Sequence, residues 1–201
     1  IFNIFKNNKR ILLFLIEQHI IVFDEYIAKK ITKINIYIDS KYPQYFQPEI
    51  QPFINEKWFP KYKPKWKKSG WVEEIKKELP ENFYEKRKEG ENDNHICELI
   101  RKDMVDEFVA HVIRNDVSLN AKIQPSIYET NSFLLKKQCN LSLIEYAVFF
   151  GSIQIFNYLR LEGVKLTPSM WLLAIHGQNA EMIHFIEDNH VELKDKSYKQ
   201  V

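Results

Sequence analysis

"LIEYAVFFGSIQIFNYLRLEGVKL", Leu143–Leu166, carries two of the chain's five glycines and no recognisable catalytic group. Its apolar residues recur at helical spacing on both sides of Gly151. That pattern predicts a short helix, a reversal at Gly151-Ser152, and a second helix that ends at Gly163. Glycine there supplies the left-handed residue that closes a helix. Ser152 is placed to cap the second helix.

The stretch is one copy of a pattern. Displaced by twenty-seven residues, Ala147 falls on Ala174, Gln154 on Glu181, Ile155 on Met182, Phe156 on Ile183 and Tyr158 on Phe185. Leu159 falls on Ile186, Val164 on Val191 and Leu166 on Leu193. Preserved chemistry at a fixed period is the mark of a repeat. The second copy reads "SMWLLAIH", a turn at Gly177-Gln178-Asn179, then "AEMIHFIEDN" closed at Asn189-His190. Ala147 and Ala174 are small where two helices must approach closely. Thr167-Pro168 predicts the second copy's helix start, with Thr as N-cap and Pro at N1. A weaker copy lies at 96–119, with Asp103 at the turn and Phe108, Val112, Val117 and Leu119 near the slots of Phe156, Leu159, Val164 and Leu166. A half copy opens the chain. There "ILLFLIEQHIIV" (11–22) lines up with "MIHFIEDNHVEL" (182–193), matching Glu17 to Asp188 and His19 to His190.

From its first alanine to its terminal glycine, "EYAVFFGSIQIFNYLRLEGV" resembles the ankyrin repeat, whose consensus runs Thr-Pro-Leu-His-x-Ala-Ala-x-x-Gly-His-x-x-Ile-Val-x-x-Leu-Leu-x-x-Gly-Ala. The twenty-seven-residue period is shorter than the standard ankyrin length of about 33. The shortfall corresponds to the β-turn finger, and Thr167-Pro168 sits two residues early relative to Ala174. "YPQYFQPEI" (42–50), "GENDNHICELIRKDMVDEFVAHVIRNDVSLNAKIQPSIYETNSFLLKK" and the repeat stretch are similar to a domain of unknown function. That domain occurs in large ankyrin-protein families of parasitic protists. The resemblance implies an all-α fold: an ankyrin-like α-solenoid of stacked antiparallel helix pairs. It specifies no chemistry.

Six of the eight prolines lie between 43 and 80, and three glycines lie within 151–177. Two regions are therefore expected: an N-terminal helical region, 1–90, with a Pro/Lys/aromatic-rich connector, and a repeat domain, 91–201. "KRKEGENDN" (86–94) reads as the linker. In the first region, Ile11, Leu12, Leu15 and Ile16 form a buried stripe, Asp24 caps the following helix, and "VEEIKKEL" (72–79) forms a helix that Pro80 ends. "INIYIDS" (34–40) is the one stretch with strand-like alternation. One further period from Ala174 lands on Val201, so more repeats are expected beyond it.

A net charge of +2 gives the whole molecule no field for nucleic acid or anionic membrane. No segment is long and apolar enough to read as membrane-spanning. Cys97 and Cys139 fit neither a disulfide framework nor a metal spacing, which suits the cytoplasm. "KWFPKYKPKWKKSGW" (57–71) sets six lysines among five aromatics with no acid. It reads as a connector whose aromatics dock on helices; the other readings are phosphate and base binding or an anionic membrane surface. Glu181, His184 and Asp188 share a helix face but lack the set of three or four ligands a zinc site needs. No nucleophile elbow, paired catalytic carboxylate or phosphate loop is present. The expectation is a non-catalytic protein-interaction scaffold with no cofactor. Its partner face is expected at Tyr146, Phe149, Phe150, Leu173 and His176 on the first helix of each pair. Phe149 and Phe150 adjoin, so one is expected to pack and the other to meet a partner.

Overall fold

The structure is a computed structural model that describes residues 1–32, 41–54, 77–137 and 141–192. Among these the chain is all-α, and no strand forms. Helices are numbered in chain order. The chain divides into a first unit, 1–92 with 126–136, and a second, 93–125 with 137–201. The excursion of 126–136 into the first unit was not expected.

The first unit holds α1 (Phe2–Phe5), α2 (Lys9–Glu17), α3 (Glu25–Ile31), α4 (Tyr42–Tyr45), α5 (Gln47–Ile50), a 3-10 turn (Gln51–Phe53), α6 (Phe83–Glu89) and most of α9 (Ser132–Lys137). Asp24 caps α3 as expected, accepting from the Ile27 amide at 2.8 Å. The stripe on α2 is shifted from the expected one. Leu12 and Leu13 are buried, Leu15 and Ile16 are half-buried, and Ile11 is exposed. The shift follows from Lys9, which lies one turn before Leu12 and Leu13 and is fully buried. Its ammonium donates to the Ile127 and Glu129 carbonyls at 3.0 and 3.1 Å and stands 5.1 Å from the Tyr45 ring centroid. A buried ammonium persists only when carbonyls and ring faces replace its water. Here those carbonyls come from the excursion, so Lys9 pins it.

The expected linker at 86–94 is in part a helix. Gly90 closes α6 in the left-handed conformation, and Arg87 is buried. Its Nη1 donates to both oxygens of Glu49 at 2.9 Å. Burial nevertheless outweighs Arg87 and pushes the Glu49 carboxyl above its ordinary pKa. Burial also pushes the neighbouring Tyr45 phenol up to about 12. Lys77–Leu79 lie outside any helix, contrary to the helix expected at 72–79. Residues 34–40, 57–71 and 72–76 lie outside the described residues.

Among the described residues the second unit forms three helix hairpins: α7 (His95–Arg101) with α8 (Val105–Arg114), α10 (Leu143–Phe150) with α11 (Ile153–Leu161), and α12 (Ser169–His176) with α13 (Ala180–Asp188). Helix α10 packs against both α7 and α12. The expected turns carry left-handed backbone at Gly151 and Gln178, twenty-seven residues apart, and at Gly163 and His190, again twenty-seven apart. Asp103 and Asp116 hold the same places in the first hairpin, and His19 holds the closing place after α2. Each closing residue ends its helix with the same bond. Val117, Val164 and Val191 donate to the carbonyls of Val112, Leu159 and Ile186 at 3.0, 3.0 and 3.3 Å. Forty-eight residues separate Asp103 from Gly151. The surplus over twenty-seven contains the excursion 126–136, and an antiparallel bridge between Lys122 and Ser142 flanks it.

Two caps differ from expectation. Ser152 does not cap α11; its hydroxyl donates to the Ile100 carbonyl at 2.5 Å. The cap comes from the previous hairpin: Asp103 Oδ2 and Oδ1 accept the Gln154 and Ile155 amides, each at 3.0 Å. A left-handed turn residue thus aims its carboxylate at the next helix's exposed amides and positive dipole end. Asp103→Ala is expected to cost about 1–2 kcal/mol, and Asp103→Asn less, measured by urea unfolding. Thr167 also does not cap. Helix α12 begins at Ser169 with no side-chain cap bond, because the Thr167 hydroxyl is engaged by Glu145.

Candidate functional site

Helices α7, α10 and α12 lie side by side, and two contacts fix their register. Ser152 binds the carbonyl of Ile100 next to the end of α7, and Gly177 sits against the backbone of Phe149 at the end of α10. The C-terminal ends of the three first helices therefore form a row: Arg101 and Lys102, Phe150, then His176 and Gly177.

The five expected contact residues divide. Tyr146, Phe149 and Leu173 are buried. The Tyr146 hydroxyl accepts from Arg101 Nη1 at 3.0 Å. Its ring lies 4.7 Å from Phe150, and Phe149 lies 5.0 Å from Phe150 on another side. Phe150 is half-buried and His176 exposed. The reason is geometric. A helix flanked on both sides by neighbours has little open surface, so Tyr146 and Phe149 become the floor that holds Phe150 upright. The surface these residues offer is a half-covered aromatic ring on a rigid aromatic base, with Lys102 and His176 exposed along the same row.

Glu145 stabilises the row from below. Its Oε2 accepts from the Ser142 amide and hydroxyl at 2.9 and 2.8 Å, a capping box for α10. Its Oε1 accepts from Ser169 at 2.6 Å and Thr167 at 3.2 Å, which ties α12 to α10. Burial opposes ionisation, but the bonds from Ser169 and Ser142 outweigh it and hold the carboxyl below its ordinary pKa. A lowered carboxyl pKa contributes stability that is present above the unfolded value, about 4.3, and lost as pH falls through the folded one. Glu145→Gln is therefore expected to flatten the loss of stability below about pH 4.5. Urea midpoints taken across the acid range check this.

Arg101 and Glu145 were missed in the sequence. Glu145 had a readable signal, Ser142-Leu143-Ile144-Glu145 ahead of an apolar run. Arg101 had none. His184 Nδ1 lies 3.3 Å from Glu187, a residue outside the face considered for metal. Among the described residues no three His, Cys, Asp or Glu side chains are placed to share a metal ion, and no helix is long and apolar enough to cross a membrane. Cys97 is buried; Cys139 lies outside the described residues.

Neither family models, nor curated proteins, nor solved structures give a match to the chain.

Proposed function

We infer that the chain is a non-catalytic protein-interaction scaffold. On this reading the second unit is an ankyrin-like α-solenoid of shortened helix pairs, and the row of first-helix ends docks a partner. The observation that supports it most is Phe150, an aromatic left half-open on a floor of buried rings between two neighbouring helices. Apolar rings held rigid in this way bind at low entropic cost. The partner segment would lay an apolar side chain on Phe150 between Lys102 and His176. The ankyrin-like grammar of 146–164 and the burial of Cys97 fit a cytoplasmic protein of this kind.

The test begins with capture on the immobilised chain, followed by rebinding of the identified partner as pure protein in a calorimeter. Phe150→Ser and His176→Glu together are expected to weaken that binding about tenfold or more, with little dependence on salt. Binding that survives both changes contradicts the docking row. A second reading rests on the six lysines of 57–71. It assigns binding of nucleic acid or anionic membrane to that stretch. It requires steep salt dependence and loss of binding when Lys63, Lys65, Lys67 and Lys68 become Glu. A chain that binds neither class would be a spacer within a longer array.

A further inference from the structure

Inside the second unit, adjacent hairpins meet through one recurring contact. Phe108 of α8 pairs edge-on with Tyr158 of α11 at 6.2 Å, and Phe156 of α11 pairs with Phe185 of α13 at 6.3 Å. Helices α11 and α13 therefore carry a leading ring slot (Tyr158, Phe185), which faces the previous hairpin. Helices α8 and α11 carry a trailing ring slot (Phe108, Phe156), which faces the next, five residues after the left-handed turn residues Asp103 and Gly151. Their shared place before the left-handed closing residue identifies the slots: Tyr158 stands five residues before Gly163, and Phe185 five before His190.

Helix α2 has the same closing residue, His19, and five residues before it stands Phe14. Phe14 is thus a leading ring, but it is 55% exposed. The neighbouring slots agree. Ile155 and Met182 are fully buried, whereas their counterpart Ile11 is exposed. Val164 is buried, whereas its counterpart Ile20 is 54% exposed. The apolar face of α2 has the composition of a hairpin junction, and among the described residues no hairpin covers it.

The last hairpin shows the opposite half. Val148 and Phe156 are fully buried by α12 and α13, but their counterparts twenty-seven residues on, Ile175 and Ile183, are 53% exposed and half-buried. The described residues therefore carry both sides of such a junction uncovered: a leading ring at Phe14 and a trailing apolar slot at Ile175 and Ile183.

We propose that these two faces bind each other between copies of the chain, head to tail, with Phe14 of one copy taking the place at Ile183 that Phe185 takes at Phe156. The occupant is a second copy because this chain supplies the complementary slot, in the geometry already used at two internal junctions. The contact is heterologous, so it propagates rather than closing as a symmetric dimer. It rests on the hairpin correspondence and not on the docking row at Phe150.

Sedimentation of the full chain over a range of concentrations tests this, with Phe14→Asp and Ile183→Asp as variants and circular dichroism to confirm that each stays helical. The wild-type chain is expected to self-associate as concentration rises, and each variant alone to associate about tenfold more weakly or not at all. A mixture of the two variants keeps one intact junction. It is expected to give a one-to-one dimer and nothing larger. Phe14→Leu, which keeps the apolar contact, is expected to associate as the wild type does. A chain that stays monomeric throughout overturns the proposal, as it would if a further hairpin of the same polypeptide were the occupant. Association unchanged by both variants overturns it as well, and so does a mixture that fails to pair.

Discussion

Replacing Gly177 by alanine is expected to destabilise the second unit by about 2–4 kcal/mol, while the same change at Gly163 costs about 1 kcal/mol. The two glycines are conserved in neither role nor surroundings within the chain, so the pair separates two effects. Gly163 has a left-handed backbone, φ 83°, and an added Cβ would meet nothing within 4 Å. Its cost is backbone strain alone. Gly177 has an ordinary right-handed backbone, φ −74°. A Cβ there would lie 2.0 Å from the Phe149 carbonyl oxygen and 2.9 Å from its carbon. Both atoms are main chain, so relief requires α12 to back away from α10. Comparable losses at the two sites, measured by urea unfolding, would mean that the hairpins are not in contact there.

The second large effect is expected at Phe156. Its ring is fully buried and lies between the packing of its own hairpin and Phe185 of the next. Phe156→Ala removes that apolar area and leaves a cavity, at a cost of about 3–5 kcal/mol. Tyr158→Ala, at a half-buried slot two residues on that faces the previous hairpin, is expected to cost less. If the ring belonged to an isolated hairpin, the damage would stop at α11. In a shared core it extends to α13.

Much of the second unit was legible because its rules are local. Helical spacing located α10 to α13, and the αL positions at 151, 163, 178 and 190 fell at residues marked as turns or ends in the sequence. Gln178 and His190 are not glycines, yet their place in the period predicted the turn. What escaped was non-local. Ser152 follows a helix end and precedes another, so it reads as a cap; that it binds Ile100 instead depends on a hairpin about fifty residues earlier. The capping carboxylate of Asp103 was hidden for the same reason. Tyr146, Phe149 and Leu173 read as outward on a lone helix pair, but the neighbours on both sides of α10 and α12's own packing bury them. In the first unit, Lys9 is in helical phase with Leu12, Leu13 and Ile16, so its inward direction was readable. Its partners, the carbonyls of Ile127 and Glu129, were not. Arg87 was taken for a linker charge because its partner, Glu49, lies far away in sequence.

The central claim is that successive hairpins of the second unit share one core. Hydrogen exchange, followed segment by segment in the wild-type chain and in Phe156→Ala, tests it most directly, because local opening energies report which elements unfold together. The shared core requires faster exchange in α12 and α13 as well as in α10 and α11. Acceleration confined to α10 and α11, with α12 and α13 protected as before, would contradict it.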